Sequence, residues 1–204
     1  MKYSIFKLLI LVAFFATWDS SISRAETPDS VVRKFQQQLL STMKKAKNLT
    51  VQERYKILEP TVVRTFHLPL MTRIAAGDFW KQASKDQKSK LIAAFRRMSV
   101  SVLATMFRNY NGENFKSLGA NPGPRQLQLI KTEMTRPNKN AIEIMYISKK
   151  FRNRWYLIDV IVAKGISELK VRRSEFRGTL KREGIDGLIK ALNNKANELV
   201  KPNK

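Results

Sequence analysis

The chain has 204 residues, with 39 Lys or Arg against 16 Asp or Glu (a formal net charge of +23), one His, no Cys and 43% hydrophobic residues. The absence of cysteine excludes a disulfide scaffold and any zinc or iron-sulfur site built on thiolates. The apolar share excludes disorder, and the length fits one domain of ordinary size or at most two small ones.

Residues 1–25 differ from the rest: Lys2 and Lys7 precede an apolar run from Leu8 to Ala16, and Ser23-Arg24-Ala25 places small residues where a signal peptidase cuts. This reads as a cleavable secretory signal. The run is too short to cross a bilayer, no other stretch approaches ~20 apolar residues, and Glu26 rather than a lipidatable Cys follows Ala25, so a soluble exported protein is expected. Cleavage removes Lys2, Lys7, Arg24 and Asp19, leaving 36 cations against 15 anions, a mature charge of +21. In the cytoplasm such a charge would suggest nucleic acid. Export points instead to anionic membrane surfaces, where each nearby cation contributes roughly 1 kcal/mol; a merely solvated basic surface is the plain alternative.

From Thr27 to Tyr110 the apolar period is helical. Thr27 or Asp29 can cap a helix with Val32, Phe35, Leu39 and Met43 on one side, and Thr50 with Glu53 forms a capping box for a second helix carrying Val51, Tyr55, Leu58 and Val62. Pro60 is expected to bend or break that helix. Asn48-Leu49-Thr50 also fits a glycosylation sequon, although the cap alone accounts for Thr50. A short helix follows Pro69, and Ser84 with Gln87 opens a long one. In it Leu91, Phe95, Met98, Val102 and Met106 fall within about 80° of one another, with Lys90, Arg97, Ser101 and Arg108 on a wet opposite side. Asn111-Gly112 is read as its end.

After Gly112 the period becomes two. Phe115 to Leu118, Gln126 to Thr135, Ala141 to Lys149 and Trp155 to Val162 read as four strands joined by short turns, an antiparallel meander. Ile142, Ile144 and Tyr146 share the more apolar face, which should pack on the helices. Two helices close the chain, one from Ser174 to Arg182 stopped by Gly184, the other carrying Leu188, Ile189, Leu192 and Leu199; residues 201–204 look frayed. With no repeat, low-complexity tract or linker, residues 26–204 read as a single α+β domain.

The chemistry is sparse. The lone His67 has no nucleophile motif to serve, no Asp/Glu/His cluster has metal-ligand spacing, and the eight glycines form no phosphate-cradling string, so no catalytic residue, metal or cofactor is assigned. Alternation places Asp159 with Trp155, Leu157 and Ile161, where it is either a general acid or base with a raised pKa or the partner of a nearby cation.

The stretch from Phe66 to Ser84 (FHLPLMTRIAAGDFWKQAS), followed by Gln87 and Phe95, resembles the toluene-tolerance, or Mla-type, phospholipid-binding proteins of Gram-negative periplasm. The second half resembles them too, through Trp155, Asp159, Val160, Gly165, Ser167, Arg173-Ser174-Glu175-Phe176, Gly184, Leu188 and Leu192. The likeness covers nearly the whole mature chain, and the order of the motifs is its specific part. Arg173-Ser174-Glu175-Phe176 and Leu68-Pro69-Leu70 look closest to the branch associated with hopanoid biosynthesis. His67 departs from the family, which usually has an Asp there to cap the next helix, a loss of ~1 kcal/mol.

This resemblance implies a helical layer on a curved antiparallel sheet, enclosing an apolar cavity for lipid tails. It also implies a non-enzymatic periplasmic carrier of phospholipid or hopanoid between inner and outer membranes, served by an inner-membrane ABC transporter complex and an outer-membrane partner. The lining residues it points to are Val62, Phe66, Leu70, Met71, Ile74, Phe79, Leu91, Phe95, Met98, Val102, Met106, Ile142, Ile144, Tyr146, Trp155 and Phe176. Each CH₂ exposed to water costs ~0.8 kcal/mol, so two sixteen-carbon chains need a dry enclosure worth on the order of 25 kcal/mol. A small-molecule enzyme on a cone-shaped α+β fold and a basic envelope adaptor without cargo are the alternatives.

Overall fold

Local capping chemistry sets the helix starts. A computed structural model describes residues 26–162 and 165–201; the signal segment read at residues 1–25, and residues 202–204 of the end expected to fray at 201–204, lie outside the described residues. Thr27 caps α1 (Pro28–Lys45), its side chain accepting from the Ser30 N–H while Ser30 reaches back. A 3₁₀ turn at Ala46–Asn48 leads to α2 (Val51–Thr65), opened by the Thr50–Glu53 box. α2 is not broken at Pro60, which lies on its exposed side. Next come α3 (Leu68–Ala76), the single turn α4 (Phe79–Gln82) and α5 (Lys85–Met106), the last opened by the Ser84–Gln87 box.

α5 ends at Met106, earlier than the Asn111-Gly112 expected, because Phe107 leaves the helical region at φ −94°, ψ 52°. The connection that follows has its own anchor. The buried Glu113 carboxylate accepts from the Asn111 N–H at 2.6 Å, and Gly112, at φ 83°, lies so close to the Pro137 ring that an added Cβ would sit 2.8 Å from it. Arg54 ties three helix ends together: its guanidinium donates to the carbonyls of Ala104 (2.8 Å), Leu49 (2.5 Å) and Ala46 (3.4 Å). These bonds satisfy a buried charge without a carboxylate.

The sheet is antiparallel with strands in chain order: β1 (Asn114–Pro122), β2 (Leu127–Arg136), β3 (Lys139–Phe151), β4 (Arg154–Val162) and the two-residue β5 (Ile166–Ser167), a fifth strand beyond the four expected. β1 is a free edge, almost wholly exposed, and its register shifts between Ser117 and Gly119. A second shift falls between Ile147 and Ser148, where Ile147 pairs with Asp159 and Ser148 with Leu157, leaving Ile158 as the extra residue. That bulge overturns the alternation read for β4. Leu157 pairs with Ser148 and Val160 with Tyr146, on the helix-covered face, while Asp159 and Ile161 pair with Ile147 and Met145 on the other.

α6 (Glu168–Leu199) closes the chain. It starts earlier than the Ser174 expected, because Ser167 caps it by accepting from the Lys170 N–H at 3.0 Å, and it breaks at Gly184 (φ 65°, ψ −160°) as read. α1 lies on the sheet, α2 and α3 reach β4, and α5 sits behind them against α2, α3 and α6.

Candidate functional site

The interior is one apolar cluster shared by both layers. Val62, Phe66, Leu91, Phe95, Met98, Ile144, Tyr146 and Phe176 are buried within it, and Met71, Ile74, Phe79, Val102, Ile142 and Trp155 pack half-buried against it. Leu70 is half-buried outside the cluster, and Met106, 65% exposed at the end of α5, does not join it.

The α5 stripe does not face the sheet as its primary partner. Val100, Ser101 and Ala104 are as fully buried as Leu91 and Phe95, so α5 is enclosed on several sides. α6 covers part of the flank expected to be wet, where Lys90 and Arg108 stay exposed: Arg97 donates to Asn193 and Asn197, Thr105 donates to the Leu199 carbonyl, and the buried Ser101 turns its hydroxyl onto the Arg97 carbonyl. A periodic stripe establishes that a face is buried and leaves its partner open. The sheet's nearest partner is α1, whose Phe35 meets Phe66 and Tyr146 edge-on at centroid distances of 5.0 and 6.3 Å.

Exposure rises along the cluster. Ile130 and Leu157 are at 0% and Tyr146 at 3%, whereas Ile142, Met134 and Phe115, adjacent across β3, β2 and β1, are half-buried. Along α5 the same trend runs from Phe95 and Met98 to half-buried Val102 and exposed Met106. The contact of Gly112 with Pro137 brings the connection after α5 to the β2–β3 turn, so the loose ends of helix and sheet are neighbours.

A polar group sits inside this apolar setting. Gln36 Nε2 donates to Thr132 Oγ1 at 3.0 Å and to the Tyr146 hydroxyl at 3.3 Å, and Thr132 in turn donates to the Ile144 carbonyl at 3.1 Å. Burial pushes the Tyr146 hydroxyl up to about 12, opposed by the Gln36 hydrogen bond. Gln36 was not among the residues singled out, although it lies four residues after Val32 on the buried side of α1.

Asp159 is held by hydrogen bonds at the junction of β4 and α6. Its carboxylate accepts from Ser167 Oγ (2.6 Å), the Val160 N–H (2.8 Å) and the Leu169 N–H (3.1 Å), fastening β4 to the start of α6. His67 corrects another expectation: it is itself the N-cap of α3, Nδ1 accepting from the Leu70 N–H at 3.2 Å, with its ring packed on Phe151 and Tyr156. The cap an Asp would supply is therefore present. Among the described residues no group of three or more His, Asp or Glu side chains converges as metal ligands.

Among the described residues, two surface hollows stand out. One, about 270 Å³, lies between the α3–α4 corner and α6; the other, about 370 Å³, lies where α2, α5 and α6 meet.

A helical layer over an open antiparallel meander, with one apolar interior shared by both, defines an α+β protein built around a hydrophobic core that loosens at one end. The MlaC protein family model matches residues 33–194, and the chain belongs to that family. A solved structure of a phospholipid-binding protein from Ralstonia solanacearum, in complex with a phospholipid, is similar in fold, with a TM-score of 0.75 and 18% sequence identity over 86% of this chain and 100% of that one.

Proposed function

We propose that the protein is a periplasmic carrier that binds a phospholipid or hopanoid-type lipid and shuttles it between inner and outer membranes with an ABC transport system. The observation that carries this reading is the graded interior, in a chain that belongs to the MlaC family and is similar in fold to a protein solved with phospholipid bound. Acyl chains enter at the loose end, between Val102 and Phe107 of the α5 terminus and Phe115, Met134 and Ile142 of the sheet, and displace side-chain contacts there rather than the packed region around Leu157. A charge of +21 after signal cleavage favours transient docking on anionic membrane. The likeness of Arg173-Ser174-Glu175-Phe176 and Leu68-Pro69-Leu70 to the hopanoid-associated branch keeps hopanoid among the cargoes.

The test is to purify the protein from its own cells, extract it and identify co-purified lipid by mass spectrometry. One lipid molecule per protein is expected. Protein that leaves the membrane fraction with no lipid above background, and takes none from vesicles, removes the carrier reading.

A further inference from the structure

The two sequence stretches that stand out most, Phe66 to Ser84 and Arg173 to Phe176, are nearly a hundred positions apart, and they converge on the 270 Å³ hollow beside α3. One wall is the Ala75–Phe79 corner. There Gly77 adopts φ 59°, ψ −134°, a backbone conformation L side chains rarely enter, and a Cβ built on it would stand 3.4 Å from Arg173 Nε and Nη2. Glycine thus lets the chain turn where the Arg173 guanidinium lies flat against it. The facing wall is α6, which presents Arg173 and, one turn later, Arg177 to the same space.

Neither arginine pairs with a carboxylate among the described residues. Of the acids nearby, Asp78 lines the same hollow and meets Lys81 at 3.5 Å, while Glu168 and Glu175 pair with Arg172 and Glu183 with Arg182. The floor is apolar. Ala75, Ala76 and Leu180 are each 2% exposed or less and belong to the main cluster, and Phe79 packs at its edge. Two fork-shaped donors above a floor of hydrocarbon fit an oxyanion with several acceptor oxygens and an apolar neighbour, and the bidentate geometry of guanidinium suits phosphate best.

We propose that Arg173 and Arg177, set against the Gly77 corner, form a phosphate-binding site. The chemistry is shared by a lipid headgroup and by a free phosphate, and the experiment separates them. Delipidated protein is titrated with inorganic phosphate and, separately, with a short-chain phosphatidylglycerol, following backbone amide shifts of Gly77, Asp78 and Phe79 by NMR. Saturable shifts at this corner are expected with at least one of the two. In R173Q/R177Q they should weaken by about tenfold or more, the loss of charge-assisted contacts. The K170Q/K190Q variant removes two exposed charges from the same helix and should leave them unchanged. Competition between the two ligands assigns the site to the headgroup; saturation by inorganic phosphate without competition assigns it to a free phosphate. Equal weakening in both variants, or unchanged binding in R173Q/R177Q, overturns the proposal. All substituted side chains are exposed, so an unaltered melting temperature checks the fold. Lipid content of the protein as purified is measured in parallel: a carrier without this site keeps its lipid, whereas failure of the carrier reading leaves the phosphate titration standing.

Discussion

The two ends of the apolar interior use the same kinds of side chain to different effect. Around Leu157 and Ile130, themselves fully buried, aromatic rings meet edge-on, and the Gln36–Thr132–Tyr146 hydrogen bonds fix which strand positions face which helix. Around Ile142, Met134 and Val102 the same aliphatic and thioether groups are left half in water, at the ends of their elements and without a polar tie. Packing density, rather than hydrophobicity, separates a region that supports the fold from one free to exchange its contacts.

Truncating each end measures that difference most strongly. Leu157→Ala, at a fully buried site, should cost about 3 to 5 kcal/mol in chemical denaturation, and Ile142→Ala at the loose end closer to about 1 kcal/mol. Equal costs would erase the distinction.

Alkaline titration probes the packed end through one hydroxyl. With its pKa near 12 in the fold against 10.0 for an ordinary tyrosine, Tyr146 favours the neutral form when folded. Its contribution is complete below pH 10 and is lost as pH rises from 10 towards 12, about 2 to 3 kcal/mol in all. Stability curves for Tyr146→Phe should fall less steeply over that window; parallel curves would mean that Tyr146 is solvated.

Enlarging a side chain contrasts the ends in the opposite sense. Met98→Trp should overpack the interior and destabilise delipidated protein by about 1 to 3 kcal/mol, whereas Val102→Trp should cost under about 1 kcal/mol and abolish lipid co-purification. Retained lipid in Val102→Trp would take that residue out of the binding region. The smallest effect belongs to a cap: His67→Ala should lower stability by about 1 kcal/mol and His67→Asp should restore it, read from thermal melts.

How far the sequence alone reached follows from the range of each interaction. The Thr50–Glu53 and Ser84–Gln87 boxes and the stop at Gly184 were legible because donor and acceptor, or the glycine and its own φ, lie within three residues. Most of the interior was legible because its residues repeat at helix or strand period. What escaped depends on distant chain. Ser101 looks wet until α6 arrives, Gln36 looks like a surface amide until Thr132 and Tyr146 meet it 96 and 110 positions later, and the phase of β4 reverses at a bulge that only pairing with β3 defines. The Arg173–Gly77 corner was present only as two motifs, with nothing local to say that they touch.

One further consequence belongs to β1. A second chain adding itself to this free edge would need a straight run of unpaired N–H and C=O groups. It would meet Lys116 ahead of the shift at Ser117 and Gly119, a glycine at φ 101°, and Pro122, which has no N–H to offer. Such features discourage edge-to-edge growth. The open meander can thus stay dispersed at high concentration instead of seeding fibrils, even though its loose interior keeps hydrocarbon within reach of water.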